Sequence, residues 1–138
     1  MKIKENFRGL TLLKRSRQPY PTAPATARLE VFPNPAPQRD YVVRFDCPEF
    51  TAMCPVTGQP DFGKIVVEYV PDKFCIESKA LKLHLFSYRS QGAFAETIVN
   101  EILDAVVQAC RPRRATVTGD FAARGGIAIR VTASHPDR

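Results

Sequence analysis

Histidine is scarce in this chain. His84 and His135 are the only two among 138 residues, so a His-rich metal cluster and a Ser-His-Asp triad are both poorly supplied. The four cysteines, Cys47, Cys54, Cys75 and Cys110, include no Cys-x-x-Cys pair, which argues against a structural zinc site. No run approaches the roughly 20 apolar residues of a transmembrane helix. The basic N-terminal stretch has no continuous apolar core of the kind a secretory leader carries. The expectation is a cytosolic chain with no membrane span, in which the cysteines remain thiols. No G-x-G-x-x-G follows a strand pattern, so no Rossmann unit is present.

What is there suits one ordinary domain. Hydrophobic residues make up 44% and charged residues 25%, near globular averages. The net charge of +6 permits attraction to polyanions, whether nucleic acid or a phosphorylated cofactor. Much of that charge lies in Lys2, Lys4, Arg8, Lys14, Arg15 and Arg17, which on their own read as a solvated basic arm.

Residues 1–38 combine this basic stretch with Pro19, Pro21, Pro24, Pro33, Pro35 and Pro37, a composition that resists regular structure. They are expected to form an irregular arm packed on the domain or on a neighbour, with a single domain over 39–138. From Asp40 the pattern alternates with period two: Tyr41, Val43, Phe45 and Cys47 share one face, and Val42, Arg44 and Asp46 the other. That predicts a strand. Pro55, Gly58 and Pro60 then force turns, so Cys54 and Asp61 are expected on a loop leading into a second strand, Lys64 to Val70. The run ESKALKLHLFSYRSQ alternates at Leu81, Leu83 and Leu85 yet is rich in helix formers, and is read as a helix. Gly92 to Arg111 is an amphipathic helix, with Phe94, Ile98, Ile102, Val106 and Cys110 at four-residue spacing and Pro112 ending it. Two strands, Ala115 to Phe121 and Gly126 to Thr132, close the chain around a Gly125-Gly126 turn. The order strand-strand-helix-helix-strand-strand implies an α+β domain: a four-stranded antiparallel sheet with two helices on one face. Its free edges could pair between subunits, which makes a homo-oligomer the expectation.

Cys54 and Asp61 place a thiol and a carboxylate on one tightly turned segment. A cysteine of ordinary pKa is only a few per cent thiolate at neutral pH, so a nucleophilic role needs a base or a positive field. An aspartic acid donates a proton at neutral pH only if its surroundings favour the neutral form. Taken alone, the two residues read first as a buried apolar cysteine and a turn aspartate. Cys47, Cys75 and Cys110 fall on strand or helix faces and read as core, and neither histidine is given a role.

The stretch from CPEFTAMCPVTGQPDF through ESKALKLHLFSYRSQGAFAE, with ARGGI near the C-terminus, resembles the queuosine-pathway nitrile reductases of the tunnelling-fold superfamily, in their short single-domain form. The resemblance runs from about Tyr41 to Ile129. CPVTGQPDF and ESKALK separate this family from its relative GTP cyclohydrolase I, which uses a Cys and His zinc site. The resemblance implies that Cys54 attacks the nitrile carbon of 7-cyano-7-deazaguanine to give a covalent thioimide while Asp61 protonates the nitrogen, and that NADPH then delivers two hydrides. It carries substrate contacts onto Ile76, Glu77 and Ser78 and onto Ala95 and Glu96. Ionised glutamates suit a guanine-like ring, accepting from its ring N–H and exocyclic amine together. Many relatives carry histidine where this chain has Ala95, so any side-chain contribution there is absent and Glu96 or a backbone group takes more of the recognition. Lys79, Lys82 and Arg124 are the implied phosphate-side contacts for NADPH, and cations are what a 2′-phosphate requires. Their plain reading is surface charge.

The resemblance also implies paired rings with sites between subunits, a small 7-deazapurine substrate and no metal, nucleic-acid or membrane partner. Two other readings remain at this point. A basic RNA-binding module would need aromatic and basic residues interleaved on an exposed sheet face. A metal-dependent purine- or pterin-cyclising enzyme of the same fold would need ligands for its metal.

Overall fold

The computed structural model describes residues 20–137; the basic residues between Lys2 and Arg17 lie outside them. In chain order the elements are β1 (Val31–Pro33), β2 (Val43–Met53), β3 (Pro60–Val70), β4 (Phe74–Ile76), α1 (Ser78–Phe86), α2 (Ala95–Cys110), β5 (Arg114–Arg124) and β6 (Ile127–His135), with short 3-10 turns at Pro24–Thr26 and Ser87–Ser90. β2, β3, β5 and β6 form an antiparallel sheet in the order β2-β3-β5-β6. The α+β architecture is the one expected. No helix among the described residues is long and apolar enough to cross a membrane.

The sheet buries one face. Ile65, Val67 and Tyr69 of β3 and Ala115, Val117 and Phe121 of β5 alternate inward, as period-two side chains must. They meet Ile98, Val99, Ile102, Leu103 and Val106 of α2. Ile102 and Val106 are fully buried, each worth about 1.5–3 kcal/mol relative to exposure. Gly119 of β5 lets α2 come close: a Cβ there would lie 2.6 Å from Cγ2 of Val99. The opposite face carries Arg44, Asp46, Lys64, Glu68, Asp120 and Arg130, tied into ion pairs. The signs on this face alternate and pair across neighbouring strands.

Three details differ from the sequence expectation. First, β2 and β3 are longer than expected, because the pairing slips between Cys47 and Phe50. Pro48 has no N–H for the ladder, so the strand bulges there and resumes with inverted parity, burying Phe50 and Ala52. Asp61 is thereby a strand residue, paired with Ala52, and the loop shrinks to Cys54–Gln59. Secondly, β1 and β4 form a second, two-stranded sheet. Asn34 secures it, donating Nδ2–H to Asp72 O at 2.7 Å and accepting from Ala36 N and the Tyr41 hydroxyl at Oδ1. Thirdly, α2 starts at Ala95. Phe94 is its N-cap residue and is 58% exposed, so it stands outside the core stripe that Ile98 begins. The helix ends as expected, with Arg111 left-handed at φ 44° before Pro112.

Candidate active site

The turn between β2 and β3 closes on itself. Cys54 N–H donates to Gln59 O at 2.8 Å, Gly58 N–H to Cys54 O at 2.9 Å and Gln59 N–H to Thr57 Oγ1 at 3.3 Å. Gly58 sits at φ +70° with open space around it, so it is required for its backbone conformation. The folded turn wraps the half-buried Cys54 thiol. The Thr57 hydroxyl, the backbone N–H groups of Thr57 and Val56 and the Arg124 guanidinium all favour the thiolate, and together they outweigh desolvation and bring its pKa down to about 7. Two of the other cysteines differ: burial pushes the thiol of the partly buried Cys47 up and that of the buried Cys110 up to about 12.

Asp61 and Arg124 meet across the sheet. Arg124 Nη1–H donates to Asp61 Oδ1 at 2.7 Å and Nη2–H to Gln59 Oε1 at 2.5 Å, and Gln59 O in turn accepts from Cys54 N–H. Thus Cys54 and Asp61, neighbours on one turned segment, and Arg124, distant from both in sequence, form one cluster. Arg124 was expected to contact a phosphate, and in this structure it is occupied by Asp61 and Gln59. Gln59 and Thr57 belong to the cluster as well. Both lie within the CPVTGQPDF stretch, which by itself assigns neither of them a role.

The start of α2 is tied to this cluster. Met53 N–H donates to Gln91 O at 3.2 Å, Ala93 N–H to Met53 O at 3.1 Å, and Met53 forms a parallel bridge with Gly92. A Cβ on Gly92 would lie 2.9 Å from Cα of Pro55. Ala95 and the exposed Glu96 therefore begin a helix anchored beside the Cys54 turn. Pro55, Gly92 and Phe94 line a cleft of about 900 Å³ whose floor includes His84 and Tyr88.

The remaining candidates gather elsewhere. Ile76 is buried, with its N–H donated to the Tyr69 hydroxyl at 2.8 Å. Glu77 caps α1, and Ser78 and Lys82 line a separate cavity of about 350 Å³ between α1 and β2. Phe45, Leu81 and Leu85 form its apolar wall. Arg89 lies over the Phe86 ring at its rim, 4.6 Å from the centroid. Lys79 and Lys82 are exposed on α1 and enter no ion pair among the described residues. No group of three His, Cys, Asp or Glu side chains able to hold a metal occurs among the described residues.

The family model for QueF-like protein matches residues 60–138. The NADPH-dependent 7-cyano-7-deazaguanine reductase of Anaeromyxobacter sp. (strain Fw109-5) is 54% identical over 118 residues, covering 86% of this chain and 96% of its own. Proteins of the same name from Alkalilimnicola ehrlichii and Streptococcus thermophilus are 56% and 46% identical, covering 78% and 94% of this chain and 83% and 79% of their own. Among solved structures, the archaeosine synthase QueF-Like in the apo form superposes with a TM-score of 0.64 at 25% identity, over 67% of this chain and 91% of that one.

Proposed function

The chain belongs to the QueF family, that of the NADPH-dependent 7-cyano-7-deazaguanine reductases, and we propose that Cys54 is its nucleophile and Asp61 its proton donor. The reaction is reduction of the nitrile of 7-cyano-7-deazaguanine to an aminomethyl group, a step of queuosine biosynthesis, and NADPH is the reductant. The observation that carries the residue assignment is the single cluster of Cys54, Asp61 and Arg124.

The chemistry follows from those groups. The Cys54 thiolate adds its Sγ to the nitrile carbon, one π pair of the C≡N bond moves to nitrogen, and Asp61 gives that nitrogen a proton, leaving a C=N thioimide and a carboxylate. When bound, NADPH supplies two hydrides in succession, which with solvent protons take the carbon to the amine and return the sulfur as a thiolate. The residues present suit such a cofactor. Lys82 and Arg89 offer cations beside an apolar wall, as a phosphorylated dinucleotide requires, and Lys79 is exposed on the same helix. Glu96 and the Ile76, Glu77 and Ser78 backbone and side chains are the groups we assign to the deazaguanine ring.

Within one chain, Ser78 and the Cys54 turn line different cavities, which supports sites completed by a neighbouring subunit. Among the described residues β2 and β6 are the edge strands of the four-stranded sheet, and Ile127 at the start of β6 is exposed. Edges of that length favour pairing between copies, so the reading includes a homo-oligomer of paired rings, measurable by light scattering. It also includes a catalytic domain over 39–138 with residues 1–38 as an arm, and a cytosolic setting, where thiols stay reduced.

The test is the intact mass of the protein mixed with 7-cyano-7-deazaguanine and no NADPH. An adduct of one substrate mass, absent from Cys54→Ala, is expected. A folded protein that forms no adduct would overturn the assignment of Cys54.

A further inference from the structure

Arg89 stands at the rim of the cavity that Ser78 and Lys82 line, and it enters no ion pair among the described residues. Arg124, the other guanidinium near a candidate site, is engaged by Asp61 and Gln59. Arg89 lies in the 3-10 turn Ser87–Ser90 that follows α1, with its guanidinium 4.6 Å from the centroid of the Phe86 ring. Phe86 is braced in turn by Tyr20, whose ring centroid is 4.5 Å away. Stacking on an aromatic face restricts a guanidinium and leaves the N–H groups on its edge free to donate. Arg89 also lines a second cavity, of about 700 Å³, bounded by β2, β3 and β5. Pro48, Glu49, Phe50 and Thr51 at the β2 bulge border both cavities, so the two adjoin at Arg89. In the second one Lys64 and Asp120 are paired with Asp46 and Arg130. Glu49, on the strand side, enters no ion pair among the described residues. An anionic ligand is therefore drawn to the helix side, where Lys82 and Arg89 stand.

We propose that Arg89 selects NADPH over NADH by pairing the edge of its guanidinium with the 2′-phosphate. The inference rests on the reading that this cavity takes the cofactor. The two dinucleotides differ in that one group, so a residue that discriminates between them must meet it. A phosphate monoester carries about two negative charges at neutral pH and three acceptor oxygens, and a planar fork of N–H donors matches two of those oxygens at once. The pyrophosphate spreads a single charge over each phosphorus, and the point charge of a lysine suffices there. Lys82 and Arg89 are seven residues apart, about two helical turns and on the order of 10 Å along the axis. They therefore serve separate phosphates, Lys82 the pyrophosphate and Arg89 the 2′-phosphate. The stack on Phe86 holds the fork in place before the ligand arrives, which lowers the entropy lost on binding.

The experiment uses the full chain, wild type beside Arg89→Leu, Arg89→Lys and Lys82→Ala. In the first measurement, adenosine 2′,5′-bisphosphate and adenosine 5′-monophosphate are titrated calorimetrically into each protein with no other ligand. Wild type should bind the bisphosphate more tightly. Arg89→Leu should weaken the bisphosphate by about tenfold or more, the weight of hydrogen bonds to a charged group, and leave the monophosphate within about twofold. Arg89→Lys should fall between the two, since it keeps the charge and loses the fork. In the second measurement, kcat/KM is compared for NADPH and NADH. Arg89→Leu should lower it for NADPH by a similar factor, through KM, and change it far less for NADH. If Arg89→Leu does not fold, Arg89→Lys decides alone. Equal weakening of both probes, or an undiminished preference for NADPH in folded variants, would overturn the inference and leave Arg89 as a brace for Phe86. Lys82→Ala separates the two ways of failing. If it weakens the bisphosphate and Arg89→Leu does not, the cavity stands as the cofactor's and only the selection by Arg89 falls. If neither variant weakens it, the cavity reading falls, and this inference with it.

Discussion

The Glu77 carboxylate accepts a hydrogen bond from the backbone N–H of Lys79 at 2.8 Å. Its second oxygen accepts from Ala80 N–H at 2.9 Å, so Glu77 is the N-cap of α1 and satisfies two donors that the helix cannot. A residue expected to face substrate thus also holds the helix that carries Ser78, Lys79 and Lys82. The two duties can be separated. Glu77→Ala should lose both, lowering stability by about 1 kcal/mol and raising the KM for the deazaguanine substrate. Glu77→Ser keeps a capping oxygen but has no carboxylate, so its melting temperature should stay near wild type while KM still rises. A Glu77→Ser enzyme with wild-type KM would leave Glu77 as a cap alone.

Some of this was legible in the sequence because it is local. Ile98, Ile102, Val106 and Cys110 announce α2 by their spacing, and Ile65, Val67 and Tyr69 announce β3 by alternation. Pro48 hid the rest of β2, since a bulge inverts the parity on which a strand is read. β1 was hidden differently: three residues among prolines form a strand only because Phe74–Ile76 supplies the partner. In the site, family resemblance singled out Cys54 and Asp61 and assigned Arg124 to phosphate. Asp61 and Arg124 are 63 residues apart, and only the β3–β5–β6 pairing with its irregularity between Phe121 and Arg124 brings them together.

Gly92 sets the spacing between the Cys54 turn and the start of α2. A Cβ there would press on Pro55 backbone at 2.9 Å, closer than either segment can accept without moving. Gly92→Ala should therefore displace Cys54 relative to Glu96 and slow thioimide formation by about tenfold to a hundredfold, while far-UV circular dichroism stays native. An unchanged adduct rate would mean that the displacement is absorbed away from the thiol.

His84 is buried, and burial lowers its pKa. Its Nδ1 lies 2.8 Å from Ala27 O, which assigns the Nδ1–H tautomer, and its Nε2 has no partner among the described residues. The unfolded chain, with an ordinary value of about 6.5, takes up a proton that the folded protein refuses. Stability from this residue is therefore complete above about pH 6.5 and is lost as the pH falls below it. Urea midpoints at pH 8 and pH 5.5 should differ more in wild type than in His84→Gln, which cannot titrate. Equal differences would assign the acid sensitivity to other groups.

Thr57 makes the leading contribution to holding the Cys54 thiol at a pKa of about 7, through its hydroxyl and then its backbone N–H. Thr57→Val keeps the shape and the backbone donor but removes the hydroxyl, and with it the acceptor for Gln59 N–H at 3.3 Å. A thiol has the lower pKa wherever donors favour its anion, so the sign is fixed: the Cys54 labelling midpoint should rise in Thr57→Val. At a pH below that midpoint both labelling and thioimide formation should slow in proportion to the lost thiolate, and the two rates should recover together as the pH is raised. Thr57→Ser restores the hydroxyl and should restore the midpoint. A thioimide rate that stays low at high pH while labelling recovers would mean that Thr57 acts by shaping the turn, with the backbone N–H groups of Thr57 and Val56 left to favour the thiolate.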